Sequence, residues 1–245
     1  ILILINLSPI SKFINLYDIP DKKRKIHKFP TPLIGGLIIF FNISIFIIFF
    51  SIFNIDYIFE SLFILEIKPL VYFLIALILI FFIGIYDDKY SMPPLSRLIL
   101  ISIIFFLYLK TDNTSLLTKI DFSFSENKIL LNYGSSFFTY LCLIVLLISS
   151  NMFDGINLQS FVFYFLNFVF LYFIYPNIFA LTCCFSLIIF GFLNSRGKIF
   201  LGDSGVYILS TILSILYIKY YNFNIDSISA DAVFSFLFFP VLDAC

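Results

Sequence analysis

Charge is what this sequence has least of. Only 12% of its 245 residues are Asp, Glu, Lys or Arg, against 61% hydrophobic. A soluble domain of this length has no interior large enough to hide that much apolar surface. The mean hydropathy of +1.07 places the chain among integral membrane proteins. Lys+Arg and Asp+Glu balance at 15 each, so no charge surplus points to nucleic acid as a partner. Histidine is reduced to one, His27. A Ser-His-Asp triad would need it to reach Ser204, which argues against reading Gly202-Asp203-Ser204-Gly205 as a protease motif. The four cysteines, Cys142, Cys183, Cys184 and Cys245, show no metal-ligand spacing, and adjacent Cys183 and Cys184 are poorly placed for a disulfide. They read as small packing residues in apolar runs. Tryptophan is absent, and the 36 phenylalanines reflect compositional bias rather than a function.

What is present is a series of apolar runs separated by short polar loops. The fold class expected is all-α and polytopic, a bundle of about nine transmembrane helices, because lipid demands that each span satisfy its own backbone. The spans are read as Ile1 to about Leu16, Leu33–Phe53, Pro69–Tyr86, about Leu95–Leu109, Ser136–Ser150, Phe161–Tyr175, Ile178–Leu193, Val206–Tyr221 and Asp231–Cys245. The stretch 54–68 reads as a short loop, and Asp121-Phe-Ser-Phe-Ser as a small hairpin or an interfacial segment. No internal repeat is evident. The sequence starts at Ile1 and stops at Cys245, both inside apolar runs, so a single membrane domain over 1–245, truncated at both ends, is expected.

Parity sorts the loops. With nine crossings, the loops at 17–32, 87–94, 151–160 and 194–205 fall on one side. That side holds Lys12, Lys22, Lys23, Arg24, Lys25, Lys28, Lys89, Arg97, Arg196 and Lys198; the other holds Lys68, Lys110, Lys119, Lys128 and Lys219. The positive-inside rule makes the first side cytoplasmic. Asp87, Asp88, Asp154 and Asp203 then all lie at cytoplasmic helix ends. Each has an ordinary reading when taken singly: an interfacial helix end for Asp87-Asp88, a turn for Asp154-Gly155, a topology determinant for the basic loop. Four carboxylates converging at one membrane level are what a hard divalent cation needs, and Mg²⁺ is held by one or two carboxylates plus substrate phosphates. The basic loop Lys22–Lys28 would attract anionic head groups or a phosphorylated substrate. A secondary transporter would instead carry its carboxylates near the bilayer midplane.

Five motifs occur in order. They are Pro9 with Asp18-Ile-Pro20, Arg24-Lys25-x-His27 and Thr31-Pro-Leu-Ile-Gly35-Gly36; Gly84-Ile-Tyr-Asp87-Asp88; Asn151-Met-Phe-Asp154-Gly155-Ile-Asn157; Phe192-Leu-Asn194 with Lys198-Ile-Phe-Leu-Gly202-Asp203-Ser-Gly205; and Pro240-x-x-Asp243. In these motifs the sequence resembles the polyprenyl-phosphate N-acetylhexosamine-1-phosphate transferases (glycosyl transferase family 4), in the branch of the WecA and TagO enzymes, with MraY more distant. It departs from the pattern at Leu158-Gln159, where Gly-Leu is usual, and at Val206-Tyr207, where Ser-Leu or similar is common.

The resemblance implies transfer of a sugar-1-phosphate from a UDP-sugar to polyprenyl (undecaprenyl) phosphate with release of UMP. This would be the initiating step of a cell-envelope glycan such as O-antigen or teichoic acid. It implies Asp87, Asp88 and Asp203 as catalytic residues, Asp203 and Asp88 as ligands of Mg²⁺ (or Mn²⁺), and Asn151, Asp154, Lys198, His27 and Arg24 as substrate-binding residues. The implied partners are the two substrates and the lipid bilayer, with a homodimer left open. The implied location is the inner (cytoplasmic) membrane, with the site facing the cytoplasm. A His-rich loop is expected beyond Cys245. An inactive paralogue acting as a membrane scaffold is the alternative that retention of all four aspartates argues against.

Overall fold

The computed structural model describes residues 11, 15–20, 29–64, 66–125, 127–224 and 228–244. The first span and the basic loop, with Arg24 and His27, lie outside the described residues apart from Ser11, Asn15 and Leu16 at the end of that span. Among the described residues are nine α-helices: α1 (Gly35–Phe53), α2 (Ile55–Leu62), α3 (Ile67–Tyr90), α4 (Pro94–Leu109), α5 (Ser135–Phe153), α6 (Gln159–Ile174), α7 (Ile178–Asn194), α8 (Gly202–Phe223) and α9 (Ala230–Asp243). Three helical stretches among the described residues, Gly35–Phe53, Ile67–Tyr90 and Asn132–Phe153, are long and apolar enough to cross a membrane; α4, α6 and α7 are shorter and also apolar. The protein is a predominantly helical membrane bundle.

Helix α8 is the axis. It packs against α3, α5, α1 and α6, while α7 closes on α6 and α1, and α9 on α5. Every α8 residue from Ser204 to Tyr221 is buried. A helix enclosed on all sides need not present a polar face to water. Its Ser204, Ser210, Thr211, Ser214, Tyr207 and Tyr217 face neighbouring helices, and pairs such as Tyr164–Ser210 (2.7 Å) link it to α6. Outward, α1 and α3 expose Phe41, Ile45, Phe49, Leu79 and Phe82. Apolar outside and hydroxyl-rich inside is the arrangement a bundle takes when the surrounding solvent is lipid tails.

Contacts divide into two levels. At one end Gly35 N–H donates to Phe200 O (3.0 Å) and Gly36 N–H to Leu201 O (2.9 Å), joining the start of α1 to the start of α8. At the other end Lys219 Nζ lies 2.6 Å from Asp112 Oδ2 and also donates to Phe63 O at 3.3 Å. Asp112 Oδ2 further accepts the hydroxyls of Tyr108 and Ser115, both at 3.1 Å, and its Oδ1 accepts Thr114 N–H at 3.0 Å. Lys219, counted by the sequence among the charges of the non-cytoplasmic side, is wholly buried and sealed by this pair.

Two details differ from the sequence reading. The stretch after α1 is not all loop, because residues 55–62 form the two-turn α2. Asn54 Oδ1 accepts the Asp56 amide at 3.2 Å to start it, and Ile58 and Leu62, one turn apart, are buried beneath it. The hairpin is present, but its strands are Lys119–Ile120 (β3) and Ile129–Leu130 (β4), paired antiparallel. The alternating Asp121-Phe-Ser-Phe-Ser sits past β3, where Phe122 and Phe124 stack on each other. A second short pair, Tyr17–Asp18 (β1) with Thr31–Pro32 (β2), closes the base of the first loop.

Candidate active site

Three glycines bring three helices together at one point. A Cβ on Gly84 of α3 would meet Ser204 Cα at 2.3 Å, and one on Gly36 of α1 would meet Gly205 N at 2.4 Å. Only glycine allows α1 and α3 to press onto the first turn of α8 at this distance. The approach places Asp88, one turn beyond Gly84, over the start of α8. Asp88 Oδ1 accepts Asp203 N–H at 2.7 Å and Oδ2 accepts Ser204 N–H at 3.1 Å. These are amides that a helix N-terminus leaves without intrahelical partners, and a carboxylate there also meets the positive end of the helix dipole. Gly202 opens α8 at φ +75°, and a Cβ on it would run into Asp88 Oδ2 at 2.8 Å. The glycines flanking Asp203 are thus fixed by backbone geometry and by close packing.

Asp87 is turned the other way and is 4% exposed. Its Oδ1 accepts Met92 N–H at 2.8 Å. Its Oδ2 accepts the Tyr207 hydroxyl at 2.7 Å and Arg97 Nη1 at 3.0 Å. Asp203, half-buried ahead of the apolar run of α8, accepts Asn151 Nδ2 on Oδ1. Burial first, and then the neighbouring Asp87 charge, push the Asp203 carboxyl up to about 7. Two carboxylates this close do not both ionise readily unless a cation lies between them or near them.

Asp154 sits at a helix end, as expected, but with partners different from those of the other three carboxylates. It caps the C-terminus of α5 and accepts the Ser160 hydroxyl at 2.6 Å, and burial raises its carboxyl to about 6. Its contacts tie α5 to α6, whereas Asp87, Asp88 and Asp203 interact with one another. The convergence is therefore of three carboxylates plus Asn151. Lys198 is exposed on the α7–α8 loop and forms no ion pair among the described residues.

Asn194 holds the two loops of this end in register. Its Oδ1 accepts Leu158 N–H at 2.7 Å and its Nδ2 donates to Ile199 O at 2.9 Å. Leu158 sits at φ +69°, the left-handed region that favours glycine. The departure noted at this position thus puts a leucine where the backbone favours glycine.

Sequence reasoning missed two members of the site. From the sequence Arg97 reads only as a topology charge, and Tyr207 only as a departure from the motif. The available signal was a lone cation one turn into an apolar helix, three residues after Pro94.

Among the described residues no group of three or more His, Cys, Asp or Glu is arranged to hold a metal by itself. The donor set is nonetheless of the right kind for a hard cation. It is all oxygen, with Asp203 half-buried and crowded by like charge, and Mg²⁺ needs only one or two carboxylates when substrate phosphates complete its shell.

The sequence model of a family described as glycosyl transferase family 4 matches residues 70–221, more than half of the chain. No curated protein matches it.

Proposed function

Because the chain belongs to glycosyl transferase family 4, whose members transfer sugar phosphates to polyprenyl phosphate, we propose that it moves an N-acetylhexosamine-1-phosphate from a UDP-sugar onto undecaprenyl phosphate. An oxygen of the lipid phosphate attacks the phosphorus bearing the sugar, the pyrophosphate bridge breaks, and UMP leaves. The observation that carries this reading is the carboxylate cluster at the start of α8, where Asp203 stands half-buried beside Asp87 and Asp88 and is oriented by Asn151.

Both substrates are anionic, so the chain must bring like charges together. Asp203, with Asp88 behind it, would hold Mg²⁺, which when bound supplies positive charge to the pyrophosphate oxygens. Asp88 also fixes the backbone that carries Asp203. Asp87, already accepting three donors, serves better as an anchor than as a base. A base is not required, because a phosphate monoester is largely dianionic near neutrality. Asn151 keeps the Asp203 carboxylate aimed, and Asp154 with Ser160 shapes the loop that would meet the nucleotide-sugar. On this reading the site faces the cytoplasm, where nucleotide sugars are made, and Arg24, His27 and Lys198 are candidates for further phosphate contacts.

The test is UMP release from membranes supplied with undecaprenyl phosphate, Mg²⁺ and a panel of UDP-N-acetylhexosamines. UMP that requires both lipid and metal, and that Asp203→Asn abolishes, supports the proposal and names the sugar. Inserted, folded protein that binds a UDP-sugar but releases no UMP would replace it with the inactive scaffold.

A further inference from the structure

The cation that the carboxylate cluster keeps for itself is Arg97, in the first turn of α4. Its Nη1 donates to Asp87 Oδ2 at 3.0 Å and reaches the Tyr207 hydroxyl oxygen at 3.4 Å. Tyr207 in turn donates to the same Asp87 oxygen at 2.7 Å, and the other Asp87 oxygen is taken by the Met92 amide. One corner of the guanidinium is therefore clamped by α3 and α8 together. The opposite edge is not: Arg97 Nε and Nη2 make no hydrogen bond among the described residues, and the side chain is 30% exposed. An arginine whose only task was to neutralise Asp87 would gain most by a two-pronged pair. Here one prong is used, the adjacent pair of donors keeps no partner among the described residues, and the guanidinium lies within electrostatic reach of Asp203. Two parallel N–H groups at that spacing match two oxygens of a phosphoryl group.

We propose that Arg97 binds a phosphoryl group of the substrate through its Nε–Nη2 edge, with Asp87 and Tyr207 as positioning residues that hold the guanidinium in place. The inference rests on the sugar-phosphate transferase reading and adds a substrate-binding residue to it. Electrostatics give it a purpose. Asp87, Asp88 and Asp203 would repel an incoming phosphate, and a rigid cation beside them offsets part of that repulsion before any metal binds. The phosphoryl group belongs either to the lipid monophosphate or to the pyrophosphate of the nucleotide-sugar. The chemistry is shared, and the experiment separates the two.

Affinities for undecaprenyl phosphate and for UDP are measured on the membrane-inserted protein, along with KM for each substrate and kcat, in the wild type, Arg97→Met, Arg97→Lys and Tyr207→Phe. Arg97→Met should weaken one of the two ligands by about 10- to 100-fold and leave the other within about threefold. Arg97→Lys should recover part of the loss, as a point charge without the fork. Tyr207→Phe, which removes one hydrogen bond and no charge, should weaken the same ligand by about 3- to 10-fold. The ligand affected identifies the phosphate. Wild-type affinity for both ligands in Arg97→Met overturns the proposal while leaving the transferase reading intact if UMP is still released. If Arg97→Met does not fold, unchanged affinities in Tyr207→Phe overturn it instead. A wild-type protein that binds neither ligand and releases no UMP overturns both readings.

Discussion

At the far end of α8, Lys219 and Asp112 are 0% and 2% exposed and lie 2.6 Å apart, with hydroxyls and a carbonyl completing their shells. At the near end, Asp203 is half-buried beside two further carboxylates, with one arginine in reach. Both ends place charge inside an apolar bundle, where an uncompensated charge is costly. The far end is neutral as a pair and saturated with hydrogen bonds, so it has no unmet demand and acts as a bolt. Among the described residues the near end sets three carboxyl groups against one arginine, an imbalance that the proposed cation would offset. Burial of charge alone therefore does not mark a site; incomplete compensation does.

Breaking the bolt should have the largest effect on stability. Lys219→Met leaves Asp112 buried and unpaired, which should cost about 3–5 kcal/mol in unfolding measurements, and adding Asp112→Leu should restore most of it. Turnover per folded molecule should stay near the wild-type value. At the near end the pattern inverts. Asp203→Asn should lower turnover by about 10³-fold, or ~4 kcal/mol of transition-state stabilisation, while thermal stability holds or rises because like-charge crowding is relieved. A stability loss in Asp203→Asn as large as that of Lys219→Met would erase the distinction between the ends.

Packing comes next in size. Gly84→Ala would drive a methyl group against Ser204 Cα and should cost about 1–3 kcal/mol, with turnover falling as Asp88 is displaced. Alanine at Gly134, where a Cβ meets nothing within 4 Å, should change neither quantity. The smallest expected effect is a gain. Leu158→Gly removes a side chain from φ +69° and should raise stability by about 0.5–1 kcal/mol in the same unfolding assay.

The sequence made much of this legible, for identifiable reasons. Apolar runs set the helices because lipid allows little else, and parity with the positive-inside rule brought Asp87, Asp88, Asn151 and Asp203 to one end, where the structure also joins them. The amphipathic two-turn α2 was hidden because eight residues carry too short a period to stand out from a loop. Asp154 was grouped with the other carboxylates because parity gives a level in the membrane but not an azimuth around the bundle. The Lys219–Asp112 pair joins residues 107 positions apart, and no local pattern announces such a contact, although a lysine between Ile218 and Tyr220 at the end of an apolar run was a hint. Arg97 and Tyr207 were overlooked because one had a sufficient explanation as a topology charge and the other looked like drift. The family match over residues 70–221 includes both.

The central claim, that the near end of α8 is completed by a divalent cation and the far end is complete already, is tested most directly by Mn²⁺ binding. Electron paramagnetic resonance would follow it in membrane-inserted protein with UDP present. The account predicts that the wild type and Lys219→Met bind Mn²⁺ alike and that Asp203→Asn binds it at least about tenfold more weakly. Undiminished binding by a folded Asp203→Asn protein would contradict the account.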